Sequence, residues 1–295
     1  MNKDLLKKAF GSVKHRQKKQ VDATIEKQTA MRGPLSYAQE RLWFHHLLEP
    51  SSSQYNLGMA YRIHGQVNST WVGQAVKALI QRHSVLTTHF VQEGGEHFQV
   101  IRPELDIPLT HYDLTAQEQG SGQEQEAGSV DVARTLLEKE QVNPPFDLSQ
   151  GPLVRFSLTH LSSDSAILTV VMHHVISDGW SVQLLMGELI SLYQSIAKGE
   201  AVSSSSAAAQ AAENKDSAIQ YFDYACWERG EARQSHFDQA LSYWKKRLHN
   251  VPQLNLFQHK APSDAAPKAA MFRCELNASE LASVSQFCKA HNVTP

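Results

Sequence analysis

Hydrophobic and polar residues follow two spacings along this chain, and each spacing predicts one type of element. Apolar residues three and four positions apart predict helices, which cover residues 38–48, 71–81, 130–140, 181–198, 221–248 and 279–290. Alternating or continuous short apolar runs predict strands, which cover residues 57–63, 86–91, 98–101, 154–160, 166–172 and 271–276. Helices and strands mix from end to end, which favours an α/β fold with helices flanking the strands.

The segment 166–172 stands out among the predicted strands because it is almost continuously apolar and β-branched. That composition is typical of a strand covered on both faces. A polar turn at 162–164 separates it from 154–160, so we expect these two strands to pair. Gly94-Gly95 predicts a second hairpin, and Ser36 with Gln39 gives a capping-box signal for the first helix.

Composition narrows the class of protein. The 295 residues carry 28 Lys and Arg against 30 Asp and Glu, a net charge of -2 that gives no reason to expect nucleic acid as a partner. No apolar run is long enough for a membrane span, so no membrane partner is predicted. Cys226, Cys274 and Cys288 lack C-x-x-C spacing, which favours unpaired thiols in a reducing compartment. We therefore expect a cytoplasmic protein.

The chain divides by composition into four parts. Residues 1–33 form a basic arm, for which a flexible tail is favoured over a docking helix at its start. Residues 34–200 carry most of the predicted elements and form a first lobe, and 201–216 are a Ser/Ala-rich linker. Residues 217–295 form a crossover segment and the beginning of a second lobe, since this length suits two lobes better than one.

The candidate catalytic residues lie directly after the apolar strand 166–172. The chain has no Gly-rich phosphate loop, G-x-S-x-G elbow or H-E-x-x-H zinc helix. His173 and His174 follow the strand, and Asp178-Gly179 forms a turn before the next helix. Neighbouring side chains of a strand point to opposite faces, so the two histidines do not suit a shared metal, and no metal is predicted. Asp178 suits either pairing with a cation or capping the helix, whose amides suit developing negative charge.

These residues resemble the H-H-x-x-x-D-G signature of condensation domains of nonribosomal peptide synthetases, a branch of the chloramphenicol acetyltransferase-like acyltransferases. Four further segments resemble motifs of that family in the same order: Ser36–Trp43 (S-x-A-Q-x-R-L-W), Arg82–Phe90 (R-H-E-x-L-R-T-x-F), Pro145–Arg155 (P-F-D-L-x-x-G-P-L-x-R) and Tyr221–Trp227 (Y-x-D-Y-A-x-W). Together they run from about Pro34 to the end of the chain. The resemblance implies an acyltransferase-like lobe with a mixed sheet flanked by helices, plus the start of a second similar lobe.

The resemblance also implies a reaction. The amine of an acceptor aminoacyl thioester attacks a donor acyl or peptidyl thioester, both delivered on the phosphopantetheine arms of donor and acceptor carrier proteins. A thioester is already activated, so alignment, proton removal and charge stabilisation suffice. No cofactor bound by the chain itself is implied. An adjacent adenylation domain or an upstream part of a synthetase is a further candidate partner.

The resemblance assigns His174 to the reacting atoms, as a general base or as a group that holds the amine in line. His173 is expected to be structural, and Gly179 to allow close approach. In the family the aspartate, here Asp178, supports the loop by pairing with an arginine, and Arg82 and Arg155 match family arginines. Ser84 and Thr87 depart from the family's R-H-E-x-L-R pattern, in which a glutamate and an arginine stand at these two positions.

Four aromatic or polar residues are candidates for lining a substrate tunnel, although core packing is the favoured interpretation for the first three and helix-start packing for the last: Tyr37, Gln39, Trp43 and Trp180. The family's later V-x-F-x-N-T region is missing, so we expect a C-terminally truncated second lobe. Two alternatives to an active condensation domain stay open. One is a silent fragment that acts only in carrier binding or assembly, and the other is an epimerisation-type relative.

Overall fold

The computed structural model of the chain describes residues 24–115, 132–200, 218–252 and 276–294. It divides into two compact units, Met1–Val251 and Pro252–Pro295. The described strands, all in the first unit, are β1 (Arg32–Pro34), β2 (Asn56–His64), β3 (Thr88–Glu93), β4 (Glu96–Ile101), β5 (Leu109–Asp113), β6 (Val154–Ser162) and β7 (Ser165–His173). The helices of the first unit include α1 (Tyr37–Leu48), α2 (Ser69–Arg82), α3 (Gly179–Ala197), α4 (Tyr221–Glu228) and α5 (Glu231–Arg247), and a π-helical turn covers Glu138–Val142. In the second unit lies α6 (Ala278–His291).

A four-stranded mixed sheet, in the order β2-β7-β6-β5, forms the centre of the first unit. β7 pairs antiparallel with β2 and β6, whereas β5 runs parallel to β6. Every residue of β7 is buried, so the expectation of a strand covered on both faces is confirmed. The predicted pairing of the two apolar strands is confirmed by the register that places Val154 opposite Met172.

The two faces of this sheet are covered by different elements. On one face α2 and α3 pack against each other and contribute to the main core, in which Leu79 and Leu189 join Leu158 and Leu168 of the sheet. On the other face Leu161 and Ile167 form a smaller cluster with Leu114, Ala133 and Leu137. The apolar faces of α2 and α3 therefore pack on the sheet, as expected for helices whose apolar residues repeat about every 3.6 positions.

A three-stranded sheet, in the order β1-β4-β3, stands beside the first. The predicted hairpin is confirmed: Gly94 and Gly95 connect β3 to β4 with φ of 61° and 85°. Both glycines occupy the left-handed region, where a residue without a Cβ is strongly favoured. At the other edge, Gly33 of β1 lies so close to α4 that an added Cβ would be 2.8 Å from the ring of Phe222.

Structure and sequence differ at several elements. The short β1 and β5 were not predicted, and residues 84–87 form a 3₁₀ turn rather than the start of β3. The predicted helix 221–248 is two helices, α4 and α5, because the chain turns at Arg229-Gly230. The predicted linker 201–216 lies outside the described residues. So does the predicted strand 271–276, except for its last position.

The first unit extends further in both directions than the predicted boundaries of its lobe. Residues of the predicted arm take part in it, since β1 pairs with β4. The buried carboxylate of Asp223 also accepts hydrogen bonds from the backbone N–H groups of Gln28 (2.8 Å) and Gln220 (2.7 Å). At the other end α4, which begins the predicted crossover segment and second-lobe region 217–295, contacts β1 and buries Phe222. None of the helices in the described ranges combines the length and apolarity needed to cross a membrane.

Candidate functional site

A cavity of about 720 Å³ opens beside the end of β7. Four segments line it: the start of α1, the connection after α2, the turn from β7 into α3 with one face of α3, and the residues that lead into α4. The α3 face is a stripe in which Ser181, Leu184, Leu185 and Glu188 repeat at helical spacing. The predicted signature, the helix after it and residues of three other predicted motifs therefore meet at one cavity.

His174 is the exposed histidine of the pair and lines this cavity. Its backbone N–H donates to the carbonyl of Tyr55 at 2.8 Å, which fixes the chain as it leaves the strand. Its Nδ1 lies 2.7 Å from the carbonyl oxygen of Ser177. A carbonyl only accepts, so Nδ1 carries a proton, and in the neutral form of the ring Nε2 is then the acceptor atom.

His173 occupies the opposite environment, at 4% exposure among packed side chains. Its Nδ1 accepts the backbone N–H of Val175 at 3.1 Å, and its ring lies 6.2 and 6.3 Å from the rings of Tyr55 and Phe146. Burial, aided by the nearby His46 and His174, lowers the pKa of His173 to about 4. A neutral, packed ring agrees with the structural role expected for this residue.

Asp178 is the N-cap of α3. Its Oδ1 accepts the backbone N–H of Ser181 at 2.7 Å and also the Ser181 hydroxyl, and these hydrogen bonds lower the pKa of the carboxyl. Within the described ranges Asp178 forms no ion pair with an arginine, so the structure favours capping, one of the two roles that the sequence suggested. Asp178 therefore engages the backbone N–H of Ser181, one of the first amides of α3. At Gly179 an added Cβ would meet no described atom within 4 Å.

The two candidate supporting arginines lie apart and serve different contacts. Arg82 is almost buried and places Nη1 3.7 Å from the carboxylate of Glu188. Arg155 donates to the carbonyls of Pro144 (2.9 Å) and Pro145 (2.8 Å) and lies over the ring of Phe146, 3.7 Å from its centroid. Arg82 thus supports the wall of the cavity, whereas Arg155 holds the segment before β6.

One of the four predicted tunnel residues lines the cavity. Gln39 does so while its side chain completes the capping box of α1 with Ser36. Trp43 is packed in the main core, and Tyr37 stacks on Phe237 of α5 with ring centroids 4.4 Å apart. Trp180 is 75% exposed, so the helix-start packing expected for it is not seen among the described residues.

Three cavity residues were not singled out from the sequence. Glu188 accepts a hydrogen bond from His83 Nε2 at 2.9 Å, and both side chains line the cavity. Gln220 accepts from the backbone N–H of Ser84 at 3.1 Å and donates to the carbonyl of Arg82 at 3.3 Å. The apolar spacing of α3 was the available signal, because Glu188 interrupts its inward stripe. Searched over the described ranges, the chain contains no group of three or more potential metal ligands.

Comparison with known proteins places these features in a family. The family model of the condensation domain matches residues 30–295. The chain is 37% identical over 255 residues to a linear gramicidin synthase of Brevibacillus parabrevis, covering 84% of this chain and 5% of that protein. It is 34% identical over 264 residues to a phosphinothricin tripeptide synthetase of Streptomyces viridochromogenes, covering 89% of this chain and 23% of that protein.

Solved structures share the fold. The first condensation domain of the calcium-dependent antibiotic synthetase superimposes with a TM-score of 0.61 at 19% identity, over 76% of this chain and 49% of that one. The starter condensation domain of rhizomide synthetase gives 0.64 at 20% identity, over 79% of this chain and 49% of that one. This chain thus spans about half the length of these structures and a small part of the curated relatives.

Proposed function

Because the chain belongs to the condensation-domain family, we propose that it forms an amide bond between two thioester-bound substrates, as an acyltransferase of a nonribosomal peptide synthetase. The acceptor's amine attacks the donor's thioester carbonyl, a C–N bond forms, the C–S bond breaks, and the donor's thiol leaves with a proton. Both substrates arrive on phosphopantetheine arms of carrier proteins. No group bound by the chain itself takes part.

The observation that carries this proposal is the contact of 2.7 Å between His174 Nδ1 and the carbonyl oxygen of Ser177. This contact holds Nδ1, so the acceptor atom of the neutral ring is Nε2, in a side chain that lines the cavity. Such an atom is suited to accept a hydrogen bond or a proton from an attacking amine. The strand alternation at the end of β7 supports the same choice, since it buries His173 and leaves its neighbour exposed.

Asp178 contributes by shaping the turn. Its carboxylate caps α3 and so fixes where the helix begins, which in turn sets the position of the carbonyl of Ser177. That carbonyl holds the imidazole of His174. Asp178 therefore acts as a positioning residue through two hydrogen bonds, and its charge is already satisfied by Ser181.

The test is peptide formation between a donor and an acceptor substrate, each loaded on a separate carrier protein. Product is followed by mass spectrometry for this chain and for His174→Ala. Removing a general base or an orienting group is expected to slow the reaction by roughly 10²- to 10⁴-fold. Lys198→Ala, an exposed substitution at the far end of α3, is the control and is expected to leave the rate unchanged.

Two results would contradict the enzymatic proposal. Equal rates for the chain and for His174→Ala would mean that any product forms without this imidazole. Carrier binding without product would favour a fragment that acts only in assembly. Inversion at the α-carbon of one loaded substrate, with no new amide bond, would instead identify an epimerisation-type relative.

A further inference from the structure

The cavity has a second polar end, remote from His174. Glu188 follows Asp178 by ten positions on α3, and a helix rises about 1.5 Å per residue, so the two lie about 15 Å apart along the helix axis. Between them the stripe is apolar at Leu184 and Leu185. One wall of the cavity therefore carries a polar group at each end and hydrocarbon in the middle.

Glu188 and His83 keep hydrogen-bonding capacity for a ligand. His83 Nε2–H and the Arg82 guanidinium both approach the same oxygen, Oε2, of the carboxylate. A carboxylate offers about four acceptor positions, and a neutral imidazole that donates through Nε2 accepts through Nδ1. Desolvation alone would raise the pKa of Glu188, but the hydrogen bond from His83 and the charge of Arg82 outweigh it and lower the pKa, so the carboxylate is ionised.

The local charge selects the type of ligand. Arg82, almost buried behind the wall at 3.7 Å, offsets the charge of Glu188, so this end of the cavity presents acceptors without a net negative charge. An ammonium group therefore binds here little more strongly than a neutral donor does, whereas an amide N–H forms a charge-assisted hydrogen bond with the carboxylate. Gln220 holds Arg82 and Ser84 by their backbones on either side of His83, which keeps the pair in place before a ligand arrives.

We propose that Glu188 and His83 form a second binding subsite of the cavity, about 15 Å from Asp178 along the axis of α3, which accepts hydrogen bonds from amide N–H groups of an extended thioester-tethered chain. The identity of that chain rests on the proposed function. Two sources supply such amides: the distal part of a peptidyl substrate, and the phosphopantetheine arm. An extended peptide advances about 3.3 Å per residue, so four or five of its residues span the length between Asp178 and Glu188.

The experiment measures binding to this chain by calorimetry, so that it does not depend on turnover. The first pair of probes is the N-acetylcysteamine thioester of acetyl-pentaalanine and the same compound N-methylated at its two amides farthest from sulfur. The second pair is acetyl-pantetheine and acetyl-N-acetylcysteamine, which lacks the distal part of the arm. Both members of each pair share the thioester. The first pair differs only by N-methylation of the distal amides, and the second differs by one distal amide N–H together with the hydroxyl and methyl groups of the pantoyl part.

Glu188→Leu is the main variant and Gln183→Leu, an exposed polar-to-leucine change on the same helix, is its control. In the native chain, loss of the distal N–H groups is expected to weaken binding about 10- to 100-fold in one of the two pairs, as for a hydrogen bond to a charged group. Glu188→Leu is expected to reduce that difference to less than about threefold, whereas Gln183→Leu preserves it. The pair that responds identifies the source.

If Glu188→Leu melts below the assay temperature, Glu188→Gln replaces it. It keeps an acceptor for His83 and is expected to reduce the difference about fivefold. The inference is wrong if neither pair responds to Glu188 more than to Gln183. Because binding is measured, a Glu188-dependent difference would uphold the subsite even if peptide formation proved independent of His174.

Discussion

The two sides of the chain at the end of β7 place neighbouring histidines in opposite environments. His173 faces packed rings and holds the N–H of Val175, whereas His174 lines the cavity and is held by Ser177. The same side chain thus stabilises the fold on one side and presents an acceptor atom on the other. Strand alternation produces this division, so a shift of one residue in register would exchange the roles.

The largest expected difference between the two histidines is in how much each one stabilises the folded chain. His173→Ala removes a buried ring and leaves the N–H of Val175 without its acceptor, which is expected to cost about 3 kcal/mol of the free energy of unfolding. His174→Ala removes an exposed ring and is expected to cost less than about 1 kcal/mol. Urea denaturation of both variants measures the difference. Equal losses would contradict the division of roles.

Acid should weaken the contribution that His173 makes to stability. The pKa of His173 is lowered to about 4 in the folded chain, against about 6.5 in an unfolded one. As pH falls through this window the unfolded state takes up the proton first, so stability contributed by the neutral ring is present above about pH 6.5 and is lost down to about pH 4. The expected loss between pH 7 and pH 4.5 is about 2 kcal/mol.

His173→Asn isolates this contribution, because the amide oxygen can still accept from Val175 and does not titrate. Denaturation curves at the two pH values, for the native chain and for this variant, give the difference. The variant should lose about 2 kcal/mol less than the native chain over the same window. A parallel pH dependence of the two proteins would show that the ring of His173 is already exposed to protonation.

The same contrast shows how far sequence could predict the site. Alternation in an apolar strand placed the two histidines on opposite faces, and Asp178-Gly179 before a helical pattern predicted the turn. Local signals of this kind fix a residue's side of an element. They do not fix its partner across the fold, and the pairing of His83 with Glu188 joins residues 105 positions apart.

The missed strands have a similar cause. β1 is Arg-Gly-Pro, which carries no strand pattern and is held by its pairing with β4 and its contact with α4. β5 has one strongly apolar residue, Leu109, and forms because β6 offers a parallel edge. Tertiary pairing overrides local preference in both, as it commonly does for short strands.

The smallest expected effect concerns Asp178 and tests whether its shape or its charge supports His174. Asparagine caps a helix about as well as aspartate, whereas alanine at this position costs about 1 kcal/mol. If the carboxylate acts through the cap of α3, Asp178→Asn should leave the free energy of unfolding unchanged and keep the rate of peptide formation within about twofold. Asp178→Ala should lower both the free energy of unfolding and the rate. Ser181→Ala removes only the hydroxyl that donates to the carboxylate and is the matched partner variant, since the backbone N–H of residue 181 remains. A large loss of rate in Asp178→Asn at unchanged stability would show that the negative charge itself is needed, and would return the residue to the ion-pair role that the family resemblance implies.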